Sequence, residues 1–491
     1  MIYSSHSRLE EGMRMLAKLK GLFTPRDMSQ GTPWKRIAEF AFPMLVGNFA
    51  QQLYNTVDAV VIGNSRWGYT ALGAVGNAAP VLNLLLALFV GISTGAGILV
   101  AQYFGARDRE GLSKTIGNCI TITAAASAII MIVGPLITGP LLTAVGTLPS
   151  MYDGCRDYLN IYFIGIAGFF YYNILAGVLR GLGDSLSALG FLLLTSVLNI
   201  FLDLAFVDQM GVAGVALATV LAQFVSAVLC FFKLLSLKRL FTLKKSDLKI
   251  HRRYLSRIIT LGVPSGLNQA LFSLAMMVVQ RLINGFGDEM FIACNVMVMR
   301  VDGYAMLPNF SFGQAMSTYA GQNLGAGKLD RLGTGTKQGM IMALATALVL
   351  TPLVLLFGPA LMRLFTPEQA LIQLSMGMMY ILAAGYIAMA ATQVLSGVMR
   401  GAGDTMTPMW ITLGTTIGLR LPLAYALVAI TRSAGAAVLT QQRMVFVSLL
   451  ISWLMGTVIT TVLYKRGVWK KKQVLPLQEK LAQKKAMQSV D

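Results

Sequence analysis

Twelve apolar runs, each long enough to cross a hydrocarbon layer and separated by short turn-rich or charged segments, constrain this chain more than any other feature. Spanning a bilayer takes about 20 apolar residues in a helix, and away from closed barrels only helices satisfy their own backbone polar groups there. The runs lie near 37–63, 72–104, 115–145, 157–179, 185–207, 211–235, 258–284, 290–324, 338–365, 371–399, 405–429 and 444–464. With 55% of residues hydrophobic and 12% charged, a water-soluble globule of 491 residues is excluded. The predicted fold is an all-α integral membrane protein with twelve transmembrane helices.

A formal net charge of +19 would suggest nucleic acid in a soluble protein. Here placement decides otherwise. Of the 40 Lys and Arg, 32 fall in or beside the two tails and the even-numbered loops, whereas the odd loops hold only Arg66, Arg156, Arg432 and Arg443. That asymmetry is membrane topology, and it predicts two cytoplasmic termini and no nucleic-acid partner. The four cysteines, Cys119, Cys155, Cys230 and Cys294, form no CxxC pair, and the polar N-terminal stretch does not read as a cleavable signal.

The two halves echo one another. Gly177 to Asp184 reads GVLRGLGD and Gly397 to Asp404 reads GVMRGAGD, 220 positions later with six of eight residues identical. The same offset pairs Gln102 and Gly105 with Gln322 and Gly325, and Pro43 pairs with Pro264 within one residue. Each half holds six spans, an even number, so both enter the bilayer in the same sense, as parallel repeats related by a pseudo-two-fold axis along the membrane normal. The predicted organisation is a cytoplasmic tail (1–36), an N-lobe (37–235), a cytoplasmic linker (236–257), a C-lobe (258–464) and a basic cytoplasmic tail (465–491).

Carboxylates at mid-span are costly, about 2.5 to 3.5 kcal/mol on insertion scales, so they point to function. Asp58 in LYNTVDAVVIG and Asp203 in LNIFLDLAFV lie in apolar runs with no Lys or Arg one turn away. Asn199 with Asp203, and Tyr54 with Asp58, are four apart and share helix faces. An amide and a hydroxyl facing such acids can hydrogen-bond either protonation state, while burial disfavours the charged one. Asp58, Asp203 and Asn199 are therefore the predicted ion-coupling group.

The Pro in the first span, the AQYFGA ending of the second and the RGxGD motif after the fourth and tenth occur together here, and the chain resembles the multidrug and toxic compound extrusion family over residues 35 to 465, with the prokaryotic DinF-like branch the nearest pattern. The resemblance implies a two-lobed antiporter that exports organic cations and other amphipathic drugs in exchange for protons or sodium ions. It also implies an N-lobe pocket lined by Gln51, Tyr54, Asp58, Asn173, Asn199, Asp203 and Thr219, with Gln51, Tyr54, Asn173 and Thr219 contacting substrate. The sodium-coupled branch carries an acid early in the seventh span, where this chain reads SGLNQALFSL. The proton is accordingly the favoured coupling ion.

Other residues carry narrower expectations. Pro43 is a candidate hinge. Arg180, Asp184, Arg400 and Asp404 read first as capped turns and second as an inner gate. Asp302 is the secondary titratable site, whereas Arg281 and Arg420 are expected to anchor at headgroups. The Met-rich C-terminal half, with Met276, Met277, Met297, Met299, Met306 and Met376 to Met379, is expected to contribute substrate contacts, as are Tyr54, Phe170, Tyr171 and Tyr172 toward a cationic drug. The functional expectation is a monomeric secondary multidrug antiporter of the bacterial inner membrane, surrounded by lipid, with small-molecule drugs and a coupling cation as partners. No cofactor, metal or enzymatic activity is expected. The alternatives are a flippase for lipid-linked oligosaccharides, which would want a cationic cavity, and a channel or receptor.

Overall fold

The computed structural model describes residues 24–63, 68–145, 147, 149–363 and 366–471, and among these it is helical throughout with no strand. The N-terminal half contains α1 (Pro33–Gly63), α2 (Gly68–Gly105), α3 (Arg109–Val145), α4 (Pro149–Ile164), α5 (Ile166–Gly181), α6 (Ser185–Met210) and α7 (Val212–Ser236). The C-terminal half contains α8 (Arg252–Asn284), α9 (Glu289–Gly325), α10 (Leu329–Arg363), α11 (Gln369–Gly401), α12 (Met406–Thr412), α13 (Leu421–Ser433) and α14 (Val438–Arg466).

Ten spans are continuous helical segments long and apolar enough to cross a membrane. α4 and α5, bent by 54° at Gly165, make an eleventh, and α1, with 31 residues, has the length for the twelfth predicted span. Two spans depart from the single helices predicted. The fourth is the bent α4–α5 pair and starts at Pro149, ahead of the expected 157. In the eleventh, a π-helical turn over Leu413–Arg420 joins α12 to α13, and such wide turns insert a residue and re-aim the side chains beyond it. Pro43 and Pro264 are both accommodated inside unbroken helices.

The chain alternates sides, so the ends of α2, α5, α7, α9, α11 and α14 gather with the start of α1 on what we call the tail side. Packing there does not follow the lobe boundaries read from the sequence. Ile37, Phe40, Ala41 and Met44 of α1 join a buried cluster with Met316 and Tyr319 of α9, in the other half. Ile258 and Leu261 of α8 reciprocally join the N-terminal core with Leu99 and Val178. The first helix of each half thus crosses over to the other half at its tail-side end, 221 positions apart in both cases.

Midway across, α2 and α8 touch backbone to backbone. A Cβ at Gly91 would lie 2.2 Å from the Gly266 nitrogen, and one at Gly95 would lie 2.5 Å from the Gly262 nitrogen. Glycines four apart on both helices give a flat strip along which dispersion contacts replace side-chain packing. The equivalent crossing of α1 with α9 uses side chains instead, with Asn48 Nδ2 donating to Ser311 Oγ at 3.0 Å.

Candidate functional site

Three polar regions stand inside the bundle. The first lies within the N-terminal half, between α6 and α7. Asp203 is 1% exposed and Asn199 is fully buried, so neither meets the hydrocarbon. Asn199 Nδ2 donates to Thr219 Oγ1 at 3.3 Å, and one turn along, the Thr195 and Ser226 hydroxyls meet. The spacing of four that set Asn199 and Asp203 on one face of α6 therefore directs both inward, with Thr219 opposite. Tyr54 is half-buried on α1. Asp58 belongs to α1 by its backbone, and its side chain lies outside the described residues.

Of the other residues expected in that pocket, Gln51 points elsewhere. Gln51 faces a cavity between the two halves, because its position on α1 turns it toward α8 and α9. The Asn173 amide donates to the Phe169 carbonyl of its own helix at 2.9 Å, and the Asn173 backbone carbonyl accepts from Ser93 Oγ at 2.6 Å. Asn173 thus ties α5 to α2.

The second region is that cavity, of about 630 Å³, a volume suited to a drug-sized molecule. Its lining is paired by the duplication: Asn48 with Asn268, Thr94 with Gln314, and Arg180 with Arg400, each 220 apart. Among the described residues no Asp or Glu lines it, and no Met does. Met376, Met378 and Met379 instead fill the C-terminal core, where Met376 packs over Gly358. Of the aromatics, Phe170 stacks on Phe89 in the N-terminal core, Tyr172 is buried, and Tyr171 donates to the Ile120 carbonyl at 3.1 Å, so none faces the cavity; Phe310 does.

The tail-side floor of the cavity is built by the duplicated motifs. Gln102 Nε2 on α2 donates to the Gly401 carbonyl at the end of α11 at 2.8 Å. Gln322 Nε2 on α9 donates to the Gly181 carbonyl at the end of α5 at 3.0 Å. Each half reaches across to the other with the same amide. Gly105 and Gly325 permit the approach, since a Cβ on either would stand 2.0 Å from the opposing glutamine carbonyl. Gln322 Oε1 also accepts the Met28 N–H at 2.8 Å, and Lys328 Nζ donates to the Ser29 carbonyl at 2.8 Å, so the segment before α1 seals the closure. In this structure the tail side is shut.

Asp184 and Asp404 start the next helices. Asp184 accepts from Ser187 N at 2.9 Å and Ser187 Oγ at 2.7 Å, and Asp404 from Thr407 N at 3.1 Å and Thr407 Oγ1 at 2.6 Å. Lys233 Nζ stands 3.6 Å from Asp184. The motif arginines Arg180 and Arg400 are among the residues lining the cavity, and Arg180 also lies near Tyr172 and Cys230 of the N-terminal core.

The third region is in the C-terminal half. Arg420 is 3% exposed, so the headgroup anchor expected for it is wrong. The π-helical turn that ends at Arg420 carries it inward, where Nη1 lies 3.8 Å from Met276 Sδ and the guanidinium interacts with Asp302. Tyr386, 1% exposed, stands beside Asp302. Asp302 accordingly lies within electrostatic reach of a buried arginine, whereas Arg300, two residues before it, is exposed.

A fold of two repeated six-span halves clasped by twinned motifs is matched at both copies by the MatE family model, over residues 43–205 and 264–426. The chain belongs to the MatE family. It is 28% identical over 460 residues to the probable multidrug resistance protein YoeA of Bacillus subtilis (91% of this chain, 97% of that protein). It is 27% identical over 349 residues to DNA damage-inducible protein F of Escherichia coli (70% and 74%). Its fold superposes with a TM-score of 0.84 on a multidrug resistance MATE family transporter in an outward-facing conformation, at 23% identity and covering 91% and 99% of the two chains. MatE members are multi-pass membrane transporters, which agrees with the span count. The sequence contained the clasp as repeated Gln and Gly, but gave no sign that each copy bonds the other half. The GxxxG strips of α2 and α8 stand in the sequence at Gly91/Gly95 and Gly262/Gly266, but they lie in different halves and outside the repeat, so nothing there marks them as partners.

Proposed function

We propose that this MatE protein is a secondary active antiporter of the bacterial inner membrane. It exports amphipathic drugs, organic cations among them, in exchange for protons in preference to sodium, works as a monomer, and keeps both termini in the cytoplasm. The observation that carries the reading is the burial of Asp203 beside Asn199 and Thr219, out of contact with lipid. A carboxylate there costs too much to persist as packing, and an amide and a hydroxyl can serve either of its protonation states.

In this reading Asp203 and Asp58 take up protons on the outer side, N-lobe packing changes, and a cationic substrate leaves. The tail side then opens by release of the Gln102 and Gln322 clasp, the acids lose their protons to the cytoplasm, and substrate enters. Exchange requires that protonated and substrate-bound forms favour different conformations.

The test follows ethidium in sealed vesicles under separately imposed pH and sodium gradients, with wild-type protein and Asp203→Asn and Asp58→Asn. Wild-type uptake into inverted vesicles should respond to the pH gradient, and either Asn variant should lose that response while still binding ethidium. Full retention of gradient dependence by both variants rejects the assignment.

A further inference from the structure

The duplication sets like positions of the two halves around the interlobe cavity, and the two copies use their polar side chains differently. In the N-terminal half, Thr94 Oγ1 donates to the Val90 carbonyl of its own helix at 3.1 Å, and the Asn173 amide is bonded to the Phe169 carbonyl. Their counterparts 220 positions later are Gln314 and Gln393, both in the cavity lining. Neither makes a side-chain hydrogen bond among the described residues.

Burial fixes where Gln314 points. It is the one exposed residue between Ser311 and Gly325 on α9, so its exposure is to the cavity it lines. A Cβ at Gly313 would stand 3.3 Å from the Gln393 amide oxygen, so the Gln393 amide lies against α9 one residue from Gln314. On α8, Asn268 and Gln269 line the same cavity, and their side chains also lack a bond among the described residues.

A carboxamide without a partner inside a bundle meets either water or a ligand, because burying it dry is costly. Its N–H and C=O stand side by side, the pattern with which Asn and Gln pair bidentately to the edge of adenine. Phe310 and Leu307 line the cavity one and two turns before Gln314, and an aromatic face suits a flat ring. A cation finds no counter-charge here: among the described residues no acid lines the cavity, and its charged members, Arg180 and Arg400, are basic.

We propose that the interlobe cavity binds uncharged planar heterocycles bearing a lactam or imide edge, held by the carboxamides of Gln314 and Gln393 with the ring against Phe310. Cationic substrates are served by the acidic region of the N-terminal half, which lies apart from this wall. The role in export rests on the antiporter reading, but the binding does not.

The test measures binding to the full-length protein in nanodiscs with 4-amino-1,8-naphthalimide, an uncharged imide whose emission reports its surroundings. Its N-methyl derivative, which lacks the imide N–H, and ethidium are the comparators. The wild type should bind the imide at least tenfold more tightly than the N-methyl form. Q314L/Q393L should bring that ratio close to one and leave ethidium affinity unchanged, whereas a collapse of packing would weaken all three ligands together. Q314N/Q393N keeps both carboxamides and should recover part of the ratio. Equal affinity for the two naphthalimides in the wild type, full discrimination in Q314L/Q393L, or absence of imide binding overturns the proposal. Imide binding with discrimination but no ion-driven ethidium flux rejects the antiporter alone, and ion-driven flux without imide binding rejects this assignment alone.

Discussion

Gln102 and Gln322, 220 residues apart, are held by each other's motif partner: the first donates to Gly401 in the C-terminal half and the second to Gly181 in the N-terminal half. Both amides are buried, at 2% and 0% exposure, so the two bonds are made away from water and exist only while the tail side is shut. This relationship turns a sequence repeat into a conformational lock.

Replacing Gln102 and Gln322 by Ala leaves the Gly401 and Gly181 carbonyls without their partners, at about 1 to 3 kcal/mol for each buried group. The cost falls on the shut state alone, since opening lets water reach both carbonyls. The double variant should populate the tail-open state, and single-cysteine labels placed near Gly183 and Gly403 should react faster with a polar thiol reagent than in the parent. Unchanged reactivity would show that the clasp contributes nothing to closure.

The crossing of α2 and α8 tolerates no side chain. At Gly91 the Cβ would sit 2.2 Å from a backbone nitrogen, which no rotamer can relieve. Gly91→Leu should therefore separate the helices and cost well beyond the 1 to 3 kcal/mol typical of overpacking. Gly333, with nothing within 4 Å of its Cβ position, should accept Ala without loss. Detergent-solubilised thermal stability, read by size-exclusion chromatography after heating, separates the two cases.

The twelve spans and the parallel duplication were legible because hydropathy and repeat offset are properties of consecutive residues. The inward aim of Asp203 was legible too, through its spacing of four from Asn199. The charge of the cavity was not. Arg180 and Asp184 lie in one motif, and sequence alone cannot say that the acid turns back to cap α6 while the arginine lines the space between the halves. Arg420 was misjudged for a related reason: the π-helical turn that re-aims it has no distinct composition.

Capping and gating at Asp184 predict different variants. A cap needs only a side-chain acceptor for Ser187 N, so Asp184→Asn should keep most stability and Asp184→Ala should lose about 0.5 to 2 kcal/mol. A gate that works by charge would be lost equally in both. Comparing thermal stability and ethidium efflux of the two variants, with the Asp404 pair as an internal replicate, distinguishes the roles.

Asp302 and Arg420 test the opposite kind of buried charge. The two lie within electrostatic reach of one another in the C-terminal half, with Tyr386 alongside, but form no ion pair within 4 Å among the described residues. Asp302→Asn removes the counter-charge nearest to a guanidinium that is 3% exposed, and should lower thermal stability. Removing both charges by Asp302→Asn with Arg420→Met should restore much of that loss, because the desolvation of both ions is removed along with their attraction. If the pair serves only to hold α9 against the π-helical turn, the double variant should also transport. If transport stays lost while thermal stability returns, the pair takes part in the transport cycle, and Asp302 joins Asp203 as a functional carboxylate despite its fixed basic neighbour.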